Sequence, residues 1–240
     1  MSLVLAHRGA SGHAPENTLE AFRLAMEMGA DGFELDVHVS KDGELIVIHD
    51  ENVKRTTNGE GLIKDMTLAE IKALDACKGM EAYRGAKIPT LAEVYELVKD
   101  TNHIVNVEIK TDNYFYPEIE EKCLALTKEM GMEDRVIYSS FNHYSLVKLH
   151  QLKPDAKLGM LFEDVLYQPW EYGKALHVQY LHPRKINIYT PDFAAESQKN
   201  GYGVNVWTVN DEETMLECLK QGANIITNYP DVAIALRDRK

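Results

Sequence analysis

The sequence predicts an α/β protein, a (β/α)8 TIM barrel with a small cap insertion after its second strand. Two observations carry this expectation. Short β-like runs alternate with helix-like stretches eight times within 240 residues, and a barrel of this kind takes roughly 250. The first strand is not followed by the GxGxxG of a dinucleotide-binding open sheet. Alternation alone would allow a doubly wound sheet equally well; the count of eight and the missing glycine motif favour the barrel.

Taken in order, the first strand is LVLAHRG (3–9), and a helix over 18–28 follows, with Asn17 and Glu20 at capping-box spacing. GFELDVHVS (32–40) is the second strand. No helix comes after it: Lys41-Asp42-Gly43-Glu44 reads as a hairpin turn into LIVIHD. About forty residues then pass before the helix at 91–99, with only a short helix near 68–74. Thr67 with Glu70 and Thr90 with Glu93 repeat the capping-box spacing. An insertion of this length, approximately 51–89, is usually functional in a compact fold, and it begins where barrel active sites are built. It is read as a cap within a single domain, 1–240. The remaining strands are 103–110, 135–141, 157–162, 178–183, 203–209 and 224–229, alternating with helices at 117–130, 143–152, 170–176, 191–199, 211–221 and 231–237. Thr190-Pro191 sets an N-cap before a proline at the first helical position. Gly29, Gly131, Gly201 and Gly222 fall where helices end.

Composition narrows the partners. A formal net charge of −12 and a pI near 5.2 argue against a nucleic-acid or anionic-membrane surface. The N-terminus, MSLVLAHRGASG, has no basic n-region and too short an apolar run for a signal peptide, and no stretch approaches a membrane span. Cys77, Cys123 and Cys218 are scattered without CxxC spacing, which fits reduced thiols and no structural zinc. The expectation is a cytoplasmic protein without membrane insertion, its oligomeric state left open.

Strand parity then singles out one face. Residues i and i+2 share a face of a strand, so Glu34, Asp36 and His38 line up opposite Phe33, Leu35, Val37 and Val39. In NVEIK, Asn106, Glu108 and Lys110 do the same opposite Val105, Val107 and Ile109. Barrel interiors are filled by branched apolar side chains, so carboxylates pointing inward are costly unless a cation sits among them. Glu34, Asp36 and Glu108 offer oxygen ligands suited to one hard divalent cation, Mg²⁺ or Ca²⁺. His7, closing the first strand, and His49, closing LIVIHD, can act as general acid and base near neutral pH. Arg8 can clamp a phosphate oxygen, and Lys110 adds a cation in phase with Glu108.

Together HRGASGHAPENTLEAF, ELDVHVSKDGELIVIHD, VEIK and VNVWTVN resemble the bacterial glycerophosphodiester phosphodiesterases. The resemblance covers essentially the whole chain, with no departure at His7-Arg8, Glu34-x-Asp36 or His49. It implies His7 and His49 as the acid–base pair, and Glu34, Asp36 and Glu108 as the metal ligands. Arg8 and Lys110 would bind the phosphoryl group, with Glu16 of the PENT segment at the site and Trp207 beside the glycerol moiety. Asn17 has a plainer explanation as a helix N-cap. The implied reaction turns a small-molecule glycerophosphodiester such as glycerophosphocholine or glycerophosphoethanolamine into sn-glycerol 3-phosphate and an alcohol. The resemblance also suggests that the hydroxyl next to the phosphate attacks first, giving a cyclic phosphate that water opens.

His13, His38 and His182 are read as structural or peripheral, and Phe141 and Phe162 as core residues near the pocket. Tyr114-Phe115-Tyr116 is either a lip or the staple of a helix start. Three rival readings remain. A barrel phosphodiesterase acting on lysophospholipids or phosphoinositides would need an apolar lip. A metal-dependent sugar isomerase has no use for the His7-Arg8 pair. A non-catalytic phosphodiester- or metal-binding barrel would be favoured by loss of a histidine, and both are present.

Overall fold

Strand β1 (Val4–His7) pairs in parallel with both β2 (Gly32–Val39) and β9 (Asn224–Thr227), and this closes the sheet. The computed structural model describes residues 2–239, so the two terminal residues of the 1–240 domain lie outside the description. Around the ring from β2 come β4 (Ile104–Ile109), β5 (Val136–Ser140), β6 (Lys157–Phe162), β7 (Tyr180–Pro183) and β8 (Gly203–Val206), all parallel. Eight strands therefore form a closed barrel. The ninth, β3 (Leu45–Val47), runs antiparallel to β2.

Eight helices follow the barrel strands: α1 (Leu19–Glu27), α3 (Leu91–Val98), α4 (Ile119–Glu129), α5 (His143–Leu152), α6 (Pro169–Ala175), α7 (Phe193–Lys199), α8 (Glu212–Gln221) and α9 (Pro230–Asp238). The short α2 (Leu68–Ala73) lies in the insertion. Outward strand residues such as Val4, Phe33, Leu35, Val105 and Val107 join the helices in one continuous core. Capping boxes open α2 at Thr67 and α3 at Thr90, as their spacing predicts. The four helix-ending glycines all have positive φ, +83° at Gly29 and +73° at Gly222 among them, a region that costs other residues a Cβ clash.

Two expected caps are corrected. Helix α1 is capped by Thr18, whose Oγ1 accepts from Ala21 N–H, while Asn17 sits one residue earlier at φ +54°. Helix α7 begins at Phe193 after Asp192, so Thr190-Pro191 lies outside it. There Tyr189 and Thr190 close a 3₁₀ turn over Lys185–Tyr189, which takes up the chain before the helix can start.

Strand β2 is eight residues long, but β1 pairs only with its first three, Gly32 to Glu34. Beyond the rim the same edge is taken over by β3, with Val37 opposite Val47 and Val39 opposite Leu45. The chain therefore returns toward the barrel mouth, and Ile48 N–H donates to Asp36 O at 3.0 Å. The insertion has a small apolar cluster of its own, built on Ile46, Ile48, Val53, Ile63, Ile71, Ala76 and Ile88. Its two ends meet: Val47 N–H donates to Pro89 O at 2.9 Å, and Ile46 bridges Thr90.

Inside the barrel the side chains are unusually polar. Asn106, Ser139, His182 and Asn205 are all buried, beside Leu5, Ile137 and Ile226. Room for this layer comes partly from glycine: a Cβ at Gly159 would lie 2.3 Å from His182 Nε2.

Candidate active site

At the mouth, parity places the acidic residues as the sequence predicts. Glu34, Asp36 and Glu108 are buried, and one oxygen from each lies within 4.8 Å of the others. Glu34 Oε1 and Asp36 Oδ1 have no hydrogen-bond partner among the described residues. Burial, then the charges of Asp36 and Glu108, raise the Glu34 carboxyl well above the usual range. Burial pushes Asp36 the same way but is outweighed, chiefly by Arg8, so its carboxyl is held low. Glu108 is raised by burial despite Lys110, whose Nζ donates to Glu108 Oε1 at 2.8 Å. Three buried carboxylates, two of them with an orphaned oxygen, fit a hard divalent cation; the set could hold a metal.

The two histidines line the same cleft as Glu34 and Glu108. His7 Nδ1 donates to Asn228 Oδ1 at 2.7 Å, and its Nε2 lies 3.9 Å from Glu34 Oε2. An amide oxygen only accepts, so the proton is on Nδ1 and the neutral ring presents Nε2 as a base. Burial, followed by the neighbouring Arg8 charge, lowers His7 to about 4. His49 is anchored at Nδ1 by Asp50 Oδ1 at 2.6 Å. Its backbone carbonyl accepts from His38 Nε2 at 2.9 Å, and His38 Nδ1 accepts from the Tyr116 hydroxyl at 3.0 Å. His38 is thus the structural residue it was expected to be, and Tyr116 a support beneath it. Phe115 stands exposed between its two tyrosine neighbours.

A chain of charges runs from His49 to the trio. Arg55 Nε donates to Asp50 Oδ2 at 2.6 Å, and its two terminal nitrogens donate to Glu16 Oε2 and Oε1, both at 2.7 Å. Glu16 Oε1 also accepts from Arg8 Nη1 at 2.9 Å, and Arg8 Nε lies 3.5 Å from Asp36 Oδ2. Both Glu16 oxygens are therefore engaged by arginines. Asn17, displaced from the cap, donates from Nδ2 to Asp36 Oδ2 at 2.9 Å.

On the far side Trp207 meets Phe141 edge-to-face, with centroids 5.4 Å apart, and its Nε1 donates to His182 O at 2.7 Å. Phe141 lines the cleft, with Lys110 Nζ 6.0 Å from its ring centre. Phe162, by contrast, is buried in the outer core. His13 is peripheral, paired with Asp231 at 3.0 Å. His182 lies inside the barrel and lines the cleft floor.

Every residue that the sequence proposed for the site converges here, directly or through one partner. Asp50, Arg55, Asn228 and Asn106 were missed. Asp50, next to His49, and Asn228, in phase with Asn224 and Ile226 on the last strand, carried a local signal; Arg55 reaches its partners only through folding.

A family description, the glycerophosphoryl diester phosphodiesterase family, matches residues 7–232 of this chain. The chain belongs to that family. It is 49% identical to a glycerophosphodiester phosphodiesterase of Caldanaerobacter subterraneus subsp. tengcongensis, with 98% of this chain and 97% of that protein covered. A glycerophosphodiester phosphodiesterase of Bacillus altitudinis is 41% identical, with 99% of each covered. Among solved structures, a glycerophosphodiester phosphodiesterase from Agrobacterium tumefaciens superposes with a TM-score of 0.87 at 32% identity, covering 98% of this chain and 100% of that one. A phosphodiesterase from Oleispira antarctica, in complex with the product sn-glycerol-3-phosphate, gives a TM-score of 0.87 at 33% identity, covering 99% and 97%. Members of the glycerophosphoryl diester phosphodiesterase family are enzymes, and this chain is one, a phosphoric diester hydrolase. Among the described residues, no helix is long and apolar enough to cross a membrane.

Proposed function

We propose that this enzyme hydrolyses glycerophosphodiesters, such as glycerophosphocholine or glycerophosphoethanolamine, to sn-glycerol 3-phosphate and an alcohol, in a divalent-cation-dependent reaction with His7 and His49 as acid and base. The observation that carries the reading is the pair of histidines, each anchored through Nδ1, that line one cleft beside an acidic trio in which Glu34 and Asp36 have orphaned oxygens. Glu34, Asp36 and Glu108 would hold one ion, Mg²⁺ or Ca²⁺. When bound, it supplies Lewis-acid stabilisation of phosphoryl charge.

The chain's own groups do the rest. Arg8 and Lys110 orient the phosphoryl oxygens and offset charge gathering on them in the transition state. One Nε2 takes the proton of the attacking hydroxyl, while the other histidine, protonated, delivers one to the departing alcohol oxygen. Asn228 and Asp50 keep those rings in the required tautomer. Glu16 acts through Arg8 and Arg55, and Trp207 with Phe141 walls the glycerol side. We take the chain as one functional unit, 1–240, with residues 51–89 as a cap that positions His49. We likewise assign it to the cytoplasm, where the unpaired thiols of Cys77, Cys123 and Cys218 stay reduced.

The test is glycerol 3-phosphate release from glycerophosphocholine, with and without EDTA, in the wild type and His49→Ala. Loss under each treatment is expected. Activity surviving both would defeat the mechanism; chelator sensitivity with full activity in the variant would remove only the histidine assignment.

A further inference from the structure

Two buried polar atoms at the cleft floor have no partner among the described residues and no task in the chemistry above: Asn106 Oδ1 and His182 Nδ1. Both residues line the cleft together with Trp207 and Phe141. Asn106 is 1% exposed and His182 fully buried. Leaving such atoms unpaired is costly, and native interiors pair nearly all of them.

The protonation of His182 can be read from its surroundings. Leu3 N–H donates to Asn224 Oδ1 at 2.8 Å, which fixes the orientation of that amide. Asn224 Nδ2 then donates to Asn205 Oδ1 at 2.7 Å, and Asn205 Nδ2 to His182 Nε2 at 2.9 Å. A peptide N–H can only donate, so the whole relay runs one way and leaves the proton of His182 on Nδ1. Burial lowers this histidine to about 3, which keeps the ring neutral. Asn106 uses Nδ2 on Ser139 Oγ at 2.9 Å, leaving Oδ1. Two residues that line the floor thus leave one neutral donor and one neutral acceptor unpaired. Among the lining residues the other unpartnered polar atoms, Arg8 Nε and Glu34 Oε1, belong to the phosphoryl end.

We infer that Asn106 and His182 form a hydroxyl-reading subsite that binds the glycerol hydroxyl remote from the phosphate. A hydroxyl both accepts and donates, which matches the pair; an ammonium group of the leaving alcohol would find no charge there. This assignment rests on the proposed reaction and names the feature of the substrate that it selects: a diester whose alcohol arm carries a second free hydroxyl.

The experiment compares glycerophosphocholine with the choline phosphodiester of propane-1,2-diol, which keeps the hydroxyl next to the phosphate and lacks the terminal one. In the unmodified enzyme, kcat/KM is expected to fall roughly 100-fold for the analogue, since a site built around a hydroxyl leaves its own groups unpaired without it. In Asn106→Leu and His182→Phe the ratio should shrink toward one. Equal turnover of the two diesters by the wild type would overturn the subsite, and so would a ratio unchanged in both variants. Should His182→Phe fail to fold, the wild-type comparison and Asn106→Leu still decide. Calorimetric binding of sn-glycerol 3-phosphate against propane-1,2-diol 1-phosphate, with Mg²⁺ present, separates this inference from the reaction it rests on. If the wild type leaves glycerophosphocholine intact yet binds the first at least tenfold tighter, the reaction fails and the subsite stands. Equal binding overturns the subsite.

Discussion

His7 grows from a barrel strand, whereas His49 reaches the same acidic trio from a hairpin that the barrel does not need for closure. The strand histidine is steadied by a neutral amide, Asn228, the residue just after the neighbouring last strand. The hairpin histidine depends on a carboxylate, Asp50, which Arg55 grips along with Glu16. Covalent geometry and sheet pairing already fix β1, so a single hydrogen bond suffices to orient its ring. Residues past β3 have less backbone pairing, and charged bonds supply the rigidity instead. Such bonds are shorter and stronger than neutral ones.

The comparison can be broken at its strongest point by removing each imidazole. His7→Ala and His49→Ala should each lower kcat by about 10² to 10⁴-fold, the range for lost general acid–base catalysis, with circular dichroism unchanged. A much smaller loss in either would show that the two are not partners. The anchors should then separate. Asp50→Asn and Arg55→Ala are expected to cut kcat by about 10- to 100-fold, through misplaced His49, with KM moved less; Asn228→Ala should cost less than about tenfold, because β1 still holds His7. Equal losses at Asn228 and Asp50 would erase the distinction drawn here.

Packing provides a third contrast. Ile63 is fully buried in the insertion's cluster and Leu35 in the outer barrel core. Truncating either to alanine should cost about 2–5 kcal/mol. Leu35→Ala should lower the global free energy of unfolding by that full amount, with a lower melting temperature as its sign. Ile63→Ala should show its loss first as faster amide exchange confined to residues 51–89, with activity falling below the global transition.

The smallest effect concerns pH. His182 titrates near 6.5 when unfolded and near 3 in the fold. Above pH 6.5 neither state is protonated and the residue contributes nothing to pH dependence. Below it the unfolded chain takes up a proton that the native barrel refuses, so stability falls as pH drops, and levels off near 3. Between pH 7 and 5 the loss is about 2 kcal/mol. Unfolding free energies from urea titrations at the two pH values should show a drop in the wild type that is smaller by this amount in His182→Asn.

Much of this site was legible because strand parity is a local rule: Glu34, Asp36, Glu108 and Lys110 follow from counting by two. The hairpin and two of the capping boxes were equally local. Asn17 misled because its spacing to Glu20 suits a cap, while Asp36, nineteen positions away, offers its amide a buried carboxylate. Thr190-Pro191 failed for the reverse reason, since a 3₁₀ turn occupies the chain just before it. Arg55 and the relay that begins at Leu3 depend on pairs separated by 39 and 221 residues, and no spacing rule spans such distances.

Because Val47 and Pro89 are joined by a backbone hydrogen bond, the segment between them leaves and re-enters the barrel at practically one point. Such a segment is a module. Its length and surface can change without altering the spacing of any barrel strand, so natural variation or deliberate grafting there would reshape the entrance for different alcohols, provided that the residues presenting His49, Asp50 and Arg55 are carried across intact.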